Sequence, residues 1–250
     1  MNTAGNEDMD LNGQGVIVTG ASRGLGEALA SQIAARGGRV VAVARHEAPL
    51  RAVVDAIRAR GHEAHALVAD IADKGAIYPL AGAAAAMVGP IELLIHNASA
   101  LGPVPLRLLL DTECEDLEAV LQTNLVGPFR LTKVIAGAMA LRGSGLILHI
   151  SSDAAVVPYP RWGAYGVSKA AQDHLARILA AELAETSVKI LSLDPGEMDT
   201  VMHADAIPDA DRSSLEQPGS VAERIVDLIE HAERVETGSR VEASKWELRR

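Results

Sequence analysis

Tyr165 and Lys169, in the stretch YGVSK, stand four residues apart inside a segment whose apolar spacing predicts a helix over 163–185. At i and i+4 both side chains leave the same helix face, so an ammonium stands beside a phenol. A free phenol holds its proton with a pKa of about 10, too tightly for ready exchange near neutrality. A neighbouring cation lowers that value and fits the pair to proton exchange with a reacting oxygen. Hydride delivery to a carbonyl is chemistry of that kind, because negative charge builds on the oxygen and a proton must meet it. Far upstream, TGASRGLG at 19–26 follows the apolar run Val16, Ile17, Val18 and precedes an alanine-rich helical pattern. Between a strand and a helix, glycines permit a tight turn and close approach to a pyrophosphate, whose charge the helix N-terminus receives. Gly20, Ser22, Arg23, Gly24, Leu25 and Gly26 are therefore expected to cradle a dinucleotide.

Strands and helices must bring these distant stretches together. Short apolar runs predict strands over 16–19, 40–44, 64–69, 93–96, 146–150 and 188–193, with a last one near 240–243. Helical patterns fill the gaps, over about 26–36, 49–60, 74–88, 112–141, 163–185 and 220–232. Parallel strands need crossover connections, so this alternation implies an α/β fold: a doubly wound parallel sheet of about seven strands with helices on both faces. The 250 residues, 48% of them hydrophobic, suit one domain over 13–250, preceded by a flexible, polar stretch at 1–12. A formal net charge of -10 argues against nucleic acid or an anionic membrane as partner and leaves a small molecule as the default. No apolar run approaches the roughly 18–20 residues that span a bilayer. With one cysteine, Cys114, no internal disulfide forms, and the N-terminus lacks the pattern of a secretory signal, so a cytoplasmic setting is expected.

The glycine spacing TGxxxGxG, with YxxxK at Tyr165 and Lys169, resembles the short-chain dehydrogenase/reductase family, and its elements follow in order from Gly15 to about Ala243. The resemblance implies a Rossmann-type sheet and gives further residues a role. Ser152, thirteen residues before Tyr165, corresponds to the serine that polarises the carbonyl, and Asn124 in QTNLVG to the asparagine that holds a water linking the lysine to solvent. Tyr165 is then the acid/base, and both Tyr165 and Lys169 also count among the cofactor-binding residues, Lys169 through the ribose hydroxyls. Asp70, with Ile71 beside it, corresponds to the residues that contact the adenine. Asn97 and Ala98 match the NNAG stretch along the cofactor, where His96 and Ser99 depart from it. Pro195, Gly196, Met198 and Thr200 fall in the PGxxxT stretch that lies against the nicotinamide. The resemblance also implies a homodimer or homotetramer, with the long helices over 112–141 and 163–185 packing against their copies.

Charge decides between the two nicotinamide cofactors. NAD-using sites usually carry a carboxylate at the end of the second strand for the ribose 2′-hydroxyl. Here that strand ends in Ala44, Arg45 and His46, and Arg45 with Arg23 suits a 2′-phosphate. NADP(H) is the expected cofactor, and a small, mainly apolar carbonyl or alcohol the expected substrate. The resemblance places the substrate pocket between the segment after Ser152, with Val156, Val157, Tyr159 and Trp162, and a loop around 198–218, with Met198, Val201 and Met202. No metal is expected, because the histidines lack ligand spacing, and His96 is read as a structural residue. Two alternatives stay open: a catalytically weak NADP-binding sensor or scaffold, and an isomerase or dehydratase using bound cofactor transiently.

Overall fold

The computed structural model describes residues 9–248. Its seven strands are β1 (Gly15–Thr19), β2 (Arg39–Ala44), β3 (Ala64–Val68), β4 (Ile91–His96), β5 (Gly145–Ile150), β6 (Val188–Asp194) and β7 (Arg240–Glu242). All pair in parallel, in the order β3-β2-β1-β4-β5-β6-β7. The central strands are apolar on both faces because helices cover both. On one face α1 (Gly24–Ala35), α2 (Glu47–Ala59) and α8 (Pro218–Glu230) bury Leu29, Ile33, Leu50, Ile57, Val221 and Ile225 against Val16, Val18 and Leu148. On the other, α3 (Ile77–Val88), α5 (Gly127–Arg142) and α6 (Gly163–Glu182) bury Leu80, Leu131, Ile135 and Ala176 against Ile17, Leu94 and Ile147. Each such leucine or isoleucine is worth roughly 1.5–3 kcal/mol of transfer free energy. Strand order reverses between β1 and β4, and the crevice beyond their C-terminal ends is where this architecture binds ligands.

The helix expected over 112–141 is instead three joined pieces: α4 (Cys114–Leu121), a π-helical stretch at Gln122–Val126, and α5. Pro128 supplies the reason. An α-helical register would ask it to donate to the carbonyl of Asn124, and proline has no N–H. The chain widens, and the N–H of Gly127 reaches back five residues to the carbonyl of Gln122. A Cβ on Gly127 would lie within van der Waals conflict of the Ile71 carbonyl, so glycine lets this wide turn press on the segment that follows β3. Other boundaries move by a few residues: α1 begins at Gly24, and a short 3-10 turn at Lys74–Ala76 precedes α3. The expected loop around 198–218 contains the helix α7 (Val201–Ala206).

Of the stretch 1–12 expected to be flexible, the structure describes 9–12, and residues 1–8 lie outside the described part. Leu11 is fully buried in the first core, and the N–H of Met9 donates to the Glu230 carbonyl at 2.6 Å. An apolar side chain within an otherwise polar stretch found a place under α8.

Candidate active site

The glycine loop opens beyond β1. Gly20 has φ +68°, and a Cβ there would stand 2.8 Å from Ala98 Cα. Glycine thus meets both demands, a left-handed backbone and the close passage of the segment after β4. Asn97 stitches the two together: its Nδ2 donates to the carbonyls of Thr19 (2.9 Å) and Gly20 (3.1 Å). In return the Thr19 hydroxyl accepts from the N–H groups of Asn97 and Ala98, at 3.0 and 3.1 Å. Helix α1 starts with no side-chain cap, Arg23 holding the extended cap position. Its first N–H groups and positive dipole end are left facing the crevice. Leu25 and Gly26 are buried at its first turn, with Ser22 half-buried before them.

The opposite wall follows β6. Gly196 takes φ +77°, and its N–H donates to Asp194 Oδ1 at 3.0 Å. Thr200, whose hydroxyl caps α7 by accepting from the His203 N–H, puts its methyl 3.4 Å from where a Gly24 Cβ would stand. This segment therefore arches over the glycine loop, with Pro195 buried and Met198 half-buried along it. Beyond β3, Asp70 Oδ1 accepts from the Ala72 N–H at 2.9 Å and Ile71 is buried. Arg23 and Arg45 are exposed at the rim, and among the described residues neither forms an ion pair. The uncapped helix end, a loop that admits no Cβ at Gly20, and two uncommitted cations fit a nicotinamide dinucleotide.

Ser152, Tyr165 and Lys169 do converge. A Cβ on Gly166 would stand 2.8 Å from the Ala154 carbonyl, so the glycine beside the tyrosine lets α6 press on the turn after β5. Burial pushes the Tyr165 phenol up to about 12. The hydroxyls of Ser152 and Ser99 oppose that rise, while the carboxylates of Asp153 and Asp194 add to it. Lys169, 1% exposed, is lowered to about 8 by burial, with Asp173 and Asp194 working against the fall. Its ammonium donates to the Ile150 carbonyl at 2.6 Å and lies 5.6 Å from the Tyr165 ring centroid. The lowered phenol expected from the i,i+4 pair is thus not found: burial raises it instead. Burial is the largest influence on the phenol, and the Lys169 ammonium is turned to a backbone carbonyl. Ser152 is likewise engaged: its hydroxyl donates to Asp153 Oδ1 at 2.9 Å, and Tyr159 donates to Oδ2 of the same carboxylate at 2.8 Å.

Asn124 lies one layer deeper. Its Nδ2 donates to the Ala100 carbonyl and the Ser168 hydroxyl, both at 2.9 Å, and its Oδ1 accepts from the Ala100 N–H at 2.8 Å. The side chain therefore fixes the loop after β4 to α6. Beneath Lys169, the buried rings of His96 and His149 stack at 4.7 Å. Burial holds both well below the usual histidine range, His149 at about 3. His96 Nε2 pairs with the Thr132 hydroxyl at 2.8 Å, a structural bond. Among the described residues no group of three or more His, Cys, Asp or Glu is placed to hold a metal.

Sequence reasoning missed three residues at the site. Ser99 entered only as a departure from a pattern, yet it faces the phenol. Asp153 follows Ser152 directly, and that adjacency was the available signal. Arg240, beyond the last motif, reaches the Ser152 carbonyl at 2.9 Å and had no sequence signal at all.

A Rossmann-type sheet with a glycine-loop crevice and a Ser-Tyr-Lys cluster defines a class of nicotinamide-dependent oxidoreductases. The chain belongs to the short chain dehydrogenase family, whose model matches residues 14–211. It is 34% identical over 192 residues to 2,3-dihydro-2,3-dihydroxybenzoate dehydrogenase of Bacillus subtilis, covering 77% of this chain and 72% of that one. It is 35% identical over 193 residues to 3-oxoacyl-[acyl-carrier-protein] reductase of Synechocystis, covering 77% of each. A solved short chain dehydrogenase from Shigella flexneri, complexed with NADP, superposes with a TM-score of 0.85 at 26% identity, over 94% of this chain and 99% of that one. No described helix is long and apolar enough to cross a membrane.

Proposed function

We propose that the protein is an NADPH-dependent reductase of a small, mainly apolar carbonyl compound, working equally as the alcohol dehydrogenase in reverse. The observation that carries this reading is the buried Tyr165 phenol facing two hydroxyls at the end of a cleft whose other end is an uncapped helix and two free arginines. The bound nicotinamide supplies or takes the hydride. Tyr165 gives the proton to the carbonyl oxygen, and Ser152, on turning from Asp153, donates a hydrogen bond to the same atom. Lys169, freed from the Ile150 carbonyl, holds the ribose and restores the proton. The Asn124 carbonyl, which Pro128 deprives of an α-helical donor, accepts from the water that connects Lys169 to solvent.

Arg23 and Arg45 hold the 2′-phosphate; the relative complexed with NADP supports this choice, as does the absence of an acid at the end of β2. In this reading Val156, Val157, Tyr159 and Trp162 line the substrate pocket and the segment around 198–218 covers it. Copies of α5 and α6 assemble a homodimer or homotetramer, and the lone cysteine suits the cytoplasm. Absorbance at the NADPH band across a panel of carbonyl compounds tests the activity. Titration of NADPH against NADH should give at least a tenfold preference, about 1.4 kcal/mol; equal affinity removes the role of the two arginines. A second reading, a cofactor-binding sensor with weak catalysis, is favoured by the high phenol pKa and the turned Lys169. NADPH binding with no turnover on any carbonyl would establish it.

A further inference from the structure

Arg240, on the edge strand β7, joins three elements that border the cleft. One Nη2 donates both to the Ser152 carbonyl (2.9 Å) and to Asp194 Oδ2 (2.8 Å). Its Nε lies 3.2 Å from Asp173 Oδ2 on α6, and Nη1 3.8 Å from Glu242. Each acceptor is in turn committed to the site. Asp194 Oδ1 holds the N–H of Gly196, which shapes the turn that arches over the glycine loop. Asp173 Oδ2 accepts from the Ser151 hydroxyl at 2.7 Å, next to Ser152. Both aspartates are buried, so an uncompensated charge at either would be costly. None of the motifs named above includes this cation.

We infer that Arg240 is a positioning residue of the active site: its guanidinium fixes the backbone of Ser152 and the Asp194–Gly196 corner relative to one another, and so sets hydroxyl against cofactor turn. A planar fork serving several acceptors suits that task, whereas a lysine ammonium is a single point of charge on a flexible stem. The same cation screens Asp194 and Asp173 from their neighbours. The charged groups facing Tyr165 are Asp153 after β5, Asp194 at the end of β6 and Lys169 on its own helix, with His96 and His149 held neutral below. Removing Arg240 therefore leaves Asp194 freer to oppose ionisation of the phenol.

The inference rests on the reading of this cleft as a nicotinamide and carbonyl site, and the test separates the two. R240M, R240K and the double variant D194N/R240M are compared with the wild type for NADPH affinity by fluorescence, for kcat and KM, and for the pH dependence of alcohol oxidation. R240M should weaken NADPH at least tenfold through the Gly196 turn and lower kcat at least tenfold. The limb of the pH profile that reports Tyr165 should move to higher pH in R240M and return in D194N/R240M. R240K should keep the limb near its wild-type position while still losing several-fold in NADPH affinity. A purely structural role would lower thermal stability and leave affinity and pH limb unchanged in the folded fraction; that result overturns the inference. Should R240M not fold, R240K decides by NADPH affinity: a several-fold loss supports the inference, and wild-type affinity overturns it. A wild type without turnover on any carbonyl overturns the reductase reading instead, and the ratio of NADPH affinities still decides Arg240.

Discussion

At the scale of the residue, Tyr165 and Lys169 sit side by side yet are expected to fail differently. Tyr165→Phe should abolish carbonyl reduction while cofactor affinity stays within about twofold, because in the proposed mechanism the lost hydroxyl acts on the substrate oxygen. Retention of more than about a tenth of the wild-type turnover, a barrier change under about 1.4 kcal/mol, is too little for a general acid and would remove the assignment. Lys169→Ala should lower turnover and NADPH affinity together. Asp153 makes a separate demand. As long as its carboxylate accepts the Ser152 hydroxyl's hydrogen bond, that O–H is committed within the protein. Asp153→Asn weakens the acceptor and removes a charge that raises the phenol pKa. The pH limb of alcohol oxidation reporting Tyr165 should then move to lower pH, and an unchanged limb would place the carboxylate outside the electrostatics of the site.

At the scale of the element, the parallel sheet, its crossover helices and the glycine loop were legible because each is written in a local pattern. Alternating apolar runs mark the strands, and TGxxxGxG lies between a strand and a helix. The interruption at 122–126 had its signal too, in the N–H missing from Pro128, but periodicity alone cannot read it because a π turn keeps the helical direction. The roles of Ser99, Asp153 and Arg240 were not legible, since they arise when side chains from four separate elements meet beyond the sheet. Tyr165 and Lys169 were correctly placed on one helix face, but how deeply α6 is buried, and hence the direction in which the phenol shifts, is a property of packing. Gly127 offers a test of the wide turn. Gly127→Ala drives a methyl into the Ile71 carbonyl, which should cost about 1–3 kcal/mol in thermal unfolding and weaken the cofactor through the Asp70 segment. A variant of wild-type stability and affinity would mean that the turn yields without consequence.

For the whole molecule, the stacked histidines link the interior to solution pH. Above about pH 6.5 both imidazoles are neutral whether folded or not, and they impose no pH dependence. As pH falls below that value the unfolded chain takes up protons that the buried rings refuse, so stability drains away until His149 itself titrates at about 3. A shift of this size is worth up to about 5 kcal/mol. His149→Leu should flatten the decline of melting temperature between pH 6.5 and 4, and a variant with the wild-type slope would show that the pair is not its source. The sheet order carries a consequence of another kind, for the time the chain takes to reach this state. Gly15 pairs with Arg39 on one side and Ile91 on the other, and every described strand pair is parallel, so no local hairpin can nucleate the sheet. The two ends of the cofactor crevice come into being only after loops of dozens of residues have closed. Stopped-flow refolding should therefore run over seconds rather than microseconds, and a nicotinamide cofactor added to the refolding buffer should leave the early phase untouched and slow only unfolding.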